Sequence, residues 1–268
     1  MPELETRFSG NVPVHYDEGL GPHIFDAFAE ELAGRIAGIN PSFVLEMAAG
    51  TGILTRHLRN TLNERCELQA TDLSPSMLEH AATKFVTEEQ VTFMAADATD
   101  LPFSDNRFDA ITCQFGVMFF PDKQRGYEEA LRVLKPGGRY LFNLWDSWDA
   151  NAFARMTHET VERIFPDEPP GFYRIPFSYH DGPEIEAALG NAGFSDISVE
   201  WLRRDVAIPD PELFARGIVF GNPIHAEIVE RGGDVNAVFD AVSAAIRSEL
   251  GDRMSIQALF VSASKPAG

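Results

Sequence analysis

The sequence predicts an α/β fold in which a parallel, doubly wound sheet carries helices on both faces. Three observations predict it: β-prone apolar runs alternate with helical patterns, a turn of small residues joins the first strand to a helix, and an acidic residue ends the second strand. Five runs of this kind are predicted as strands, at 43–45, 67–70, 91–94, 110–113 and 139–142. Strands that alternate with helices are typical of parallel sheets.

The predicted helices are defined by apolar stripes and by their end signals. One amphipathic helix precedes the first strand, with a stripe formed by Ile24, Phe25, Phe28, Leu32 and Ile36. After the second strand, Ser74 is predicted as an N-cap with Pro75 at the first helical position. The helix that contains Leu131 and Leu134 is expected to end at residues 135–138, where proline and two glycines follow one another.

Beyond Trp145, helices are predicted near 153–164, 183–192, 213–220 and 235–250, and strands at 197–208 and 256–262. The insertion at about 209–253 separates the last two strands, and we expect it to form a small cap that binds a ligand. Residues 1–40 would then be an N-terminal lid and helix, and 41–268 the main α/β domain.

Composition excludes some functions. The chain has 22 basic and 41 acidic residues in 268, a formal charge of −19, which repels a nucleic acid backbone. Cys66 and Cys113 lie in β-like runs, as buried free thiols commonly do. Residues 1–5 contain no basic region followed by an apolar stretch, so no signal peptide is expected, and no apolar run reaches the roughly 18 residues of a membrane helix. We therefore expect a cytoplasmic protein with no membrane or nucleic acid partner.

The strongest signal for chemistry is the turn at residues 46–52, which follows the first strand and opens an amphipathic helix. Small residues there let a ligand approach the backbone closely. Asp72 stands twenty positions after Gly52, where its carboxylate can accept hydrogen bonds from the ribose of a nucleoside cofactor. The turn lacks the G-x-G-x-x-G spacing of dinucleotide oxidoreductases, which disfavours a nicotinamide or flavin dinucleotide.

The turn resembles the first motif of the class I S-adenosylmethionine-dependent methyltransferases, an acidic residue followed by small residues at alternate positions. Glu46, Ala48, Gly50 and Gly52 occupy those places. Ala48 departs from the glycine of many members, and its methyl group tightens the turn. The resemblance implies that S-adenosyl-L-methionine is the cofactor.

Three further motifs extend the resemblance through about the first 146 residues. Residues 72–78 resemble the second motif, 95–103 the third, and 108–116 the fourth strand and its exit, while 131–138 are similar to the segment before the fifth strand. The resemblance implies a Rossmann-like, seven-stranded sheet of order 3-2-1-4-5-7-6 with an antiparallel last strand. It also indicates the UbiE-like, small-molecule branch, with a methyltransferase type 11 or type 25 domain.

These motifs imply a set of cofactor contacts. Asp72 would bind the ribose, Asp97 would face the adenine amino group, and the exit of the fourth strand would lie beside the methionine portion. The full set comprises Tyr16, Glu46, Ala48, Gly50, Gly52, Asp72, Leu73, Met77, Asp97, Ala98, Gln114 and Phe115. Simpler roles stay open: Glu46 could charge a solvent-facing strand end, Asp97 could cap a turn, and Asp72 could be an Asx-type cap.

No metal is predicted, because the seven histidines are scattered and no CxxC or HxxxH pattern occurs. A hydroxyl acceptor would benefit from a general base, for which histidine is the usual residue at neutral pH. No motif marks a catalytic histidine. The candidates that we retain are His15, His180 and Tyr16, of which Tyr16 lies in a segment that often covers the cofactor in similar enzymes.

Six phenylalanines are expected near the carboxyl ends of the strands, where such sheets bind ligands: Phe115, Phe119, Phe120, Phe153, Phe172 and Phe177. If they line the acceptor cavity, the acceptor is apolar or aromatic. Residues 114–117 read Gln-Phe-Gly-Val, not the (Asn/Asp)-Pro-Pro-(Tyr/Phe) tetrad of related enzymes that methylate nucleic acid amino groups or protein glutamine.

The leading hypothesis is therefore metal-independent methyl transfer to an oxygen, nitrogen or carbon atom of a small molecule. Two alternatives remain: another reaction on the same S-adenosylmethionine-binding fold, and a binding module that has lost turnover. The sequence leaves open whether the protein forms a homodimer.

Overall fold

The computed structural model describes Phe8 and residues 10–268. Residues 1–7 and 9 of the predicted lid lie outside the described part. A seven-stranded sheet with the order β3-β2-β1-β4-β5-β7-β6 forms the centre of the molecule, which confirms the predicted fold class and strand order. β7 is antiparallel to both β5 and β6, and the other neighbouring strands are parallel.

The strands are β1 (Phe43–Met47), β2 (Glu67–Asp72), β3 (Val91–Ala95), β4 (Phe108–Gln114), β5 (Leu134–Trp145), β6 (Ser195–Ala207) and β7 (Arg253–Ser264). The helices are α1 (Val12–Leu20), α2 (Asp26–Ala37), α3 (Ile53–Thr61), α4 (Pro75–Ala82), α5 (Lys123–Val133), α6 (Ala152–Ile164), α7 (Gly182–Ala192), α8 (Pro211–Phe220), α9 (Ile224–Glu230) and α10 (Val235–Ala245). π-helical segments join α1 to α2 (Gly21–Phe25) and extend α10 (Ile246–Leu250).

The ends of two helices follow the predicted signals. Ser74 has an extended backbone and accepts the amide of Met77 at 3.5 Å, as an N-cap does. Gly193 ends α7 with a φ of +102°, a conformation that glycine adopts without strain. Local sequence thus places these helix boundaries.

The helix before β5 ends earlier than predicted. We expected Leu134 to be helical, but its extended backbone (φ −69°, ψ 142°) begins β5 and pairs with Phe108. The strand then runs through Pro136, with an irregularity in register before Arg139. Pro136 explains part of the difference, because the residue before a proline avoids the helical region.

Two helices were not predicted. α1 buries only Pro13, Gly19 and Leu20, so its apolar stripe is too narrow to stand out as a period. α9 has seven residues, too few for periodicity to show. Both become helical in a tertiary setting, since α1 packs along α8 and α9 packs on α8 and α10.

The cap lies between β6 and β7 as three short helices, α8 to α10. They contact α1 and α6 and do not extend the sheet. In the described ranges, no helix combines the length and the apolar character needed to cross a bilayer. Cys66 and Cys113 are both buried and free.

Candidate active site

A cavity lies at the carboxyl ends of the parallel strands, and we call it the strand-end cavity. Of the residues predicted to contact the cofactor, the following line it: Tyr16, Ala48, Gly50, Asp72, Leu73, Met77, Asp97, Ala98, Gln114 and Phe115. They come from the ends of β1, β2, β3 and β4 and from α1 and α4. The structure therefore brings together residues that stand far apart in the chain, because parallel strands end at one edge of the sheet.

The turn after β1 is built for close approach to the backbone. Ala48, Gly50 and Gly52 all have positive φ, at 54°, 55° and 80°. A side chain at Gly50 would meet no atom within 4 Å, so the space beside its backbone is open. Gly52 does not line the cavity. Its absent Cβ instead lets α3 pack on α4, since a Cβ there would lie 3.0 Å from that of Ala81.

The structure shows how the methyl group of Ala48 is accommodated. A Cβ on Gly116, at the end of β4, would lie 2.5 Å from the Ala48 Cβ. Gly116 therefore provides the space that the Ala48 methyl group fills. The pair fixes the distance between the ends of β1 and β4.

Asp72 holds the end of β2 in place with both carboxylate oxygens. Its Oδ2 accepts the amide of Gly50 at 2.8 Å, and its Oδ1 accepts the amide of Ser74 at 2.8 Å. The second bond is the Asx turn that was one alternative for this residue. Asp72 also lines the cavity, so the structural role and a role in cofactor binding are compatible.

Glu46 is 1% exposed, which contradicts the alternative of a solvent-facing strand end. It borders a small chamber beside the strand-end cavity, and the two share Tyr16, Ala48, Gly50 and Gln114. No described residue forms a hydrogen bond with its Oε2. Burial raises the pKa of Glu46 to about 8, although Thr55 partly offsets this effect. A cationic amino group in the chamber could pair with Oε2, for which the described residues provide no hydrogen-bond donor.

Asp97 uses one oxygen in a local turn. Its Oδ1 accepts the amide of Thr99 at 2.8 Å and the hydroxyl of Thr99 at 2.7 Å. The hydrogen bonds of Asp97 are therefore those of a turn residue, which was the simpler alternative for it. The residue still lines the strand-end cavity next to Ala98.

The exit of β4 forms the wall opposite Asp72. Gln114 donates from Nε2 to the carbonyl oxygen of Phe25 at 3.0 Å, which attaches the wall to the segment before α2. Phe115 has a φ of 49° and stacks on Trp145, with ring centroids 3.9 Å apart and planes 6° apart. Its amide donates to Asn143. The strained backbone of Phe115 is thus held by packing and by a buried amide side chain.

Tyr16 stands where the cavities meet. It lines the strand-end cavity and the Glu46 chamber, and its ring stacks on Phe25 at a centroid distance of 5.0 Å. Burial and the nearby Asp72 raise the pKa of Tyr16. The neighbouring Asp17 holds α1 in this position, because it accepts the hydroxyl of Thr51 at 2.8 Å and forms an ion pair with Lys84.

The two candidate histidines lie elsewhere. His15 packs against Phe220 at 5.7 Å, and burial lowers its pKa. His180 directly precedes Asp181, which caps α7. Neither residue lines the cavities at the strand ends. Among the described residues, no group of three His, Cys, Asp or Glu side chains could hold a metal ion.

A second cavity, which we call the aromatic cavity, shares Phe8, Tyr16, Phe115 and Phe119 with the strand-end cavity. Of the six phenylalanines singled out in the sequence, Phe115, Phe119, Phe153, Phe172 and Phe177 line it. Phe120 lines the strand-end cavity. Trp145, Tyr173 and Asn222 also form its wall and were not predicted from the sequence. These three residues belong to no motif, and only the fold brings them together.

Comparison with known proteins agrees with the geometry. Residues 44–138 match the family model described as a methyltransferase domain. The chain is 40% identical over 106 residues to demethylmenaquinone methyltransferase of Clavibacter sepedonicus. That alignment covers 40% of this chain and 42% of the relative, so the match spans less than half of either protein.

Two solved structures share the fold. The YcgJ protein of Bacillus subtilis has a TM-score of 0.60 at 19% identity, covering 90% of this chain and all of that one. Phosphoethanolamine N-methyltransferase 2 of Haemonchus contortus, in complex with S-adenosyl-L-methionine, has a TM-score of 0.61 at 19% identity, covering 95% of this chain and 56% of that one. The matched domain contains the turn at residues 46–52, Asp72 and Asp97. Residues 44–138 therefore match a methyltransferase domain, in agreement with the resemblance that the motifs indicated.

Proposed function

We propose that this protein transfers the methyl group of S-adenosylmethionine to a small, largely apolar or aromatic acceptor bound in the aromatic cavity. One observation carries the proposal: the aromatic cavity and the strand-end cavity share a wall formed by Tyr16, Phe115 and Phe119. A methyl group at the boundary between them would be within reach of a molecule in either one.

The residues of the strand-end cavity fit the cofactor. Asp72 is a carboxylate at the end of β2, beside open backbone at Gly50, and can accept hydrogen bonds from ribose hydroxyls. Glu46 is buried, and its Oε2 accepts no hydrogen bond from any described residue, which suits the amino group of the methionine portion. When bound, S-adenosylmethionine supplies an electrophilic methyl group on a sulfonium sulfur.

The aromatic cavity indicates the class of acceptor. Its described lining contains no Asp, Glu, Lys, Arg or His, so a charged acceptor would be desolvated with no counter-ion. Phenylalanine and tryptophan rings form most of the wall, and such rings pack well against apolar and aromatic molecules. The matched relative is named a methyltransferase for demethylmenaquinone, a name that designates a small-molecule acceptor. The charge of −19 disfavours nucleic acid as the acceptor.

The chain contributes to the reaction through position and through the exclusion of water. Tyr16, Phe115 and Phe119 would hold the acceptor against the strand-end cavity, and orientation of this kind can supply about 7–11 kcal/mol in favourable cases. The titratable groups in the described lining are Tyr16 and Tyr173, and burial raises the pKa of both. We therefore assign neither a role as general base at neutral pH.

The segments outside the sheet have proposed roles as well. We assign residues 1–40 to a lid and an initial helix and about 209–253 to a cap, because α1 supplies Tyr16 and the turn after α8 supplies Asn222 to the aromatic cavity. Residues 41–268 would form the catalytic domain. The acceptor site would thus be completed by the parts of the chain that vary most readily.

Methyl-labelled S-adenosylmethionine tests the proposal when it is incubated with the protein and with a metabolite extract separated into apolar and charged fractions. We expect label in a new small molecule from the apolar fraction. Asp72→Ala protein serves as the control for enzyme-dependent transfer. Label in a charged product would contradict the acceptor class. Binding of the cofactor with no label released from either fraction would favour a non-transferase enzyme or an inactive binding module.

A further inference from the structure

Two polar side chains interrupt the otherwise carbon-rich wall of the aromatic cavity. Tyr173 lies in the 3₁₀ turn Phe172–Arg174, and Asn222 lies just after α8. Both are buried, at 4% and 5% exposure. They come from the two connections outside the sheet and meet at the same point of the wall.

The hydrogen bonds of Asn222 define the orientation of its amide. Nδ2 donates to the Tyr173 hydroxyl oxygen at 3.2 Å and to the carbonyl oxygen of Ile218 at 3.3 Å. It also lies 3.4 Å from the carbonyl oxygen of Gly217. Carbonyl oxygens only accept hydrogen bonds, so the nitrogen must face them. The amide oxygen is then directed away from these partners.

The two side chains retain unused hydrogen-bonding capacity. The oxygen of the Tyr173 hydroxyl accepts from Asn222, which leaves the hydroxyl proton to be donated, and no described residue accepts it. Similarly, no residue in the described part of the chain donates to Asn222 Oδ1. The cavity wall therefore offers one donor and one acceptor side by side.

The turn that carries Tyr173 is held from two sides. Glu227 of α9 accepts the amides of Gly171 and Phe172 on one carboxylate oxygen, at 2.6 and 3.2 Å. Trp148 donates from its indole nitrogen to the carbonyl oxygen of Tyr173 at 3.1 Å. The position of the donor is thus set before a ligand arrives, and preorganisation of this kind favours selectivity.

We propose that Tyr173 and Asn222 select an acceptor that carries a hydroxyl group on an aromatic ring, an inference that rests on the proposed methyl transfer. The Tyr173 hydroxyl donates to the oxygen of that group, and Asn222 Oδ1 accepts its proton. A phenolic hydroxyl is both an acceptor and a donor, so a single atom of the ligand satisfies both residues. A purely apolar ligand would cover both and leave them unpaired, which is unfavourable.

These residues determine specificity and do not act on the reacting atoms. Burial raises the pKa of Tyr173, so it remains a donor through the neutral and mildly alkaline range. The expected signature is therefore a preference in binding that does not change between mildly acidic and mildly alkaline pH.

The test is a titration of three naphthalenes into protein saturated with S-adenosylhomocysteine. 2-Naphthol donates and accepts, 2-methoxynaphthalene only accepts, and 2-methylnaphthalene does neither. We expect 2-naphthol to bind about tenfold more tightly than 2-methylnaphthalene, because it gains one to two neutral hydrogen bonds. The Kd of 2-methoxynaphthalene should lie between these two values. The comparison of 2-naphthol with 2-methoxynaphthalene tests the acceptor role of Asn222 Oδ1. We do not substitute Asn222, because its Nδ2 also donates to the carbonyl oxygen of Ile218 at the end of α8.

Tyr173→Phe removes only the hydroxyl and should bring 2-methoxynaphthalene to the Kd of 2-methylnaphthalene. Tyr127→Phe is the matched control. Its hydroxyl is also buried, lies 3.4 Å from that of Tyr179, and lines neither cavity. We expect this variant to keep the wild-type order of affinities.

The outcomes separate this inference from the proposed function. Equal affinity of the wild type for all three naphthalenes would overturn the inference, as would a Tyr173→Phe variant that weakens all three equally. Neither result would affect methyl transfer. If S-adenosylhomocysteine itself does not bind, or if no naphthalene binds to the loaded protein, the proposed function fails and the inference fails with it.

Discussion

The strand-end cavity and the aromatic cavity adjoin each other but are built in different ways. The first is walled by the ends of neighbouring strands, whose residues stand in compact motifs such as residues 46–52 and 72–78. The second collects residues from α1, β5, α6, the turn at Phe172–Arg174 and the cap. The proposed cofactor site thus depends on local chain geometry, whereas the proposed acceptor site depends on how distant segments pack. A substitution that weakens ligand binding in one cavity should therefore leave binding in the other nearly unchanged.

The largest expected effect concerns the buried carboxylate beside the strand-end cavity. In the folded state the pKa of Glu46 is raised from 4.5 to about 8, so the folded protein binds the proton more tightly than the unfolded chain. Its contribution to stability is complete below about pH 4.5 and declines as the pH rises to about 8. Glu46→Gln has no proton to lose. As the pH rises from 5 to 9, the free energy of unfolding of the wild type should therefore fall by about 4 kcal/mol more than that of the Glu46→Gln variant.

Urea unfolding at the two pH values measures this difference. Glu129→Gln is the control with the opposite sign, because Arg132 lowers the pKa of the buried Glu129 carboxylate. The stability that Glu129 contributes is present above the unfolded pKa and is lost as the pH falls. If the free energy of unfolding depends on pH in the same way for the wild type and for Glu46→Gln, the pKa of Glu46 is not raised in the folded protein.

The second-largest expected effect concerns the binding of S-adenosylhomocysteine in the strand-end cavity. Asp72→Ala removes the carboxylate that accepts from Gly50 and Ser74 and that we expect to bind ribose. Hydrogen bonds to charged groups contribute about 1.5–3 kcal/mol each, so the Kd for S-adenosylhomocysteine should rise by about 100-fold or more. Calorimetry provides the measurement.

Asp109→Ala is the matched control for Asp72→Ala. Asp109 also accepts two backbone amides, those of Ser42 and Phe43, but it does so at the amino end of the sheet. The control should be destabilised yet bind S-adenosylhomocysteine with nearly wild-type affinity. Equal weakening in both variants would show that the loss reflects the fold and not the position of Asp72.

A smaller effect is expected from the contact between α1 and the cap. A Cβ on Gly217 of α8 would lie 2.6 Å from the backbone of Gly19 in α1, so Gly217→Ala must push the two helices apart. Overpacking of this kind costs about 1–3 kcal/mol. We expect weaker binding of 2-naphthol, while the Kd for S-adenosylhomocysteine changes by less than about threefold.

Gly190→Ala is the control for Gly217→Ala. Gly190 lies within α7, and a Cβ added there meets nothing within 4 Å, so this variant should be neutral or more stable by about 1 kcal/mol. Equal weakening of 2-naphthol and S-adenosylhomocysteine binding by Gly217→Ala would show that the two cavities do not respond separately to substitution.

The smallest effect tests the pair at the ends of β1 and β4. Gly116→Ala should be destabilising, because its Cβ would lie 2.5 Å from the Ala48 Cβ. Ala48→Gly relieves a positive φ of 54° and removes that methyl group. The double variant should recover about 1 kcal/mol of the loss caused by Gly116→Ala, measured as a coupling energy in a double-mutant cycle. Strictly additive effects would show that the two residues do not share this space.

The sequence predicted the strands, their order through family resemblance, and most residues of the strand-end cavity. Ala48, Gly50, Asp72 and Gln114 were accessible because each follows directly from a strand, and parallel strands end at one edge. Local reading was less successful where the surroundings decide the structure. Leu134 was assigned to a helix but pairs with Phe108 in the sheet.

The amino-acid sequence by itself determined the class of fold, the turn of small residues after β1, and the carboxylate at the end of β2, because these features arise within a few residues of one another. Only the tertiary structure decided that Glu46 is buried without a hydrogen-bond partner for one oxygen among the described residues. It likewise decided that Tyr173 and Asn222 meet in one wall. They are 49 residues apart, and their contact requires α8 and the turn at Phe172–Arg174 to pack over the same strand ends. Such a contact depends on packing between distant segments, which leaves no period or motif in the chain.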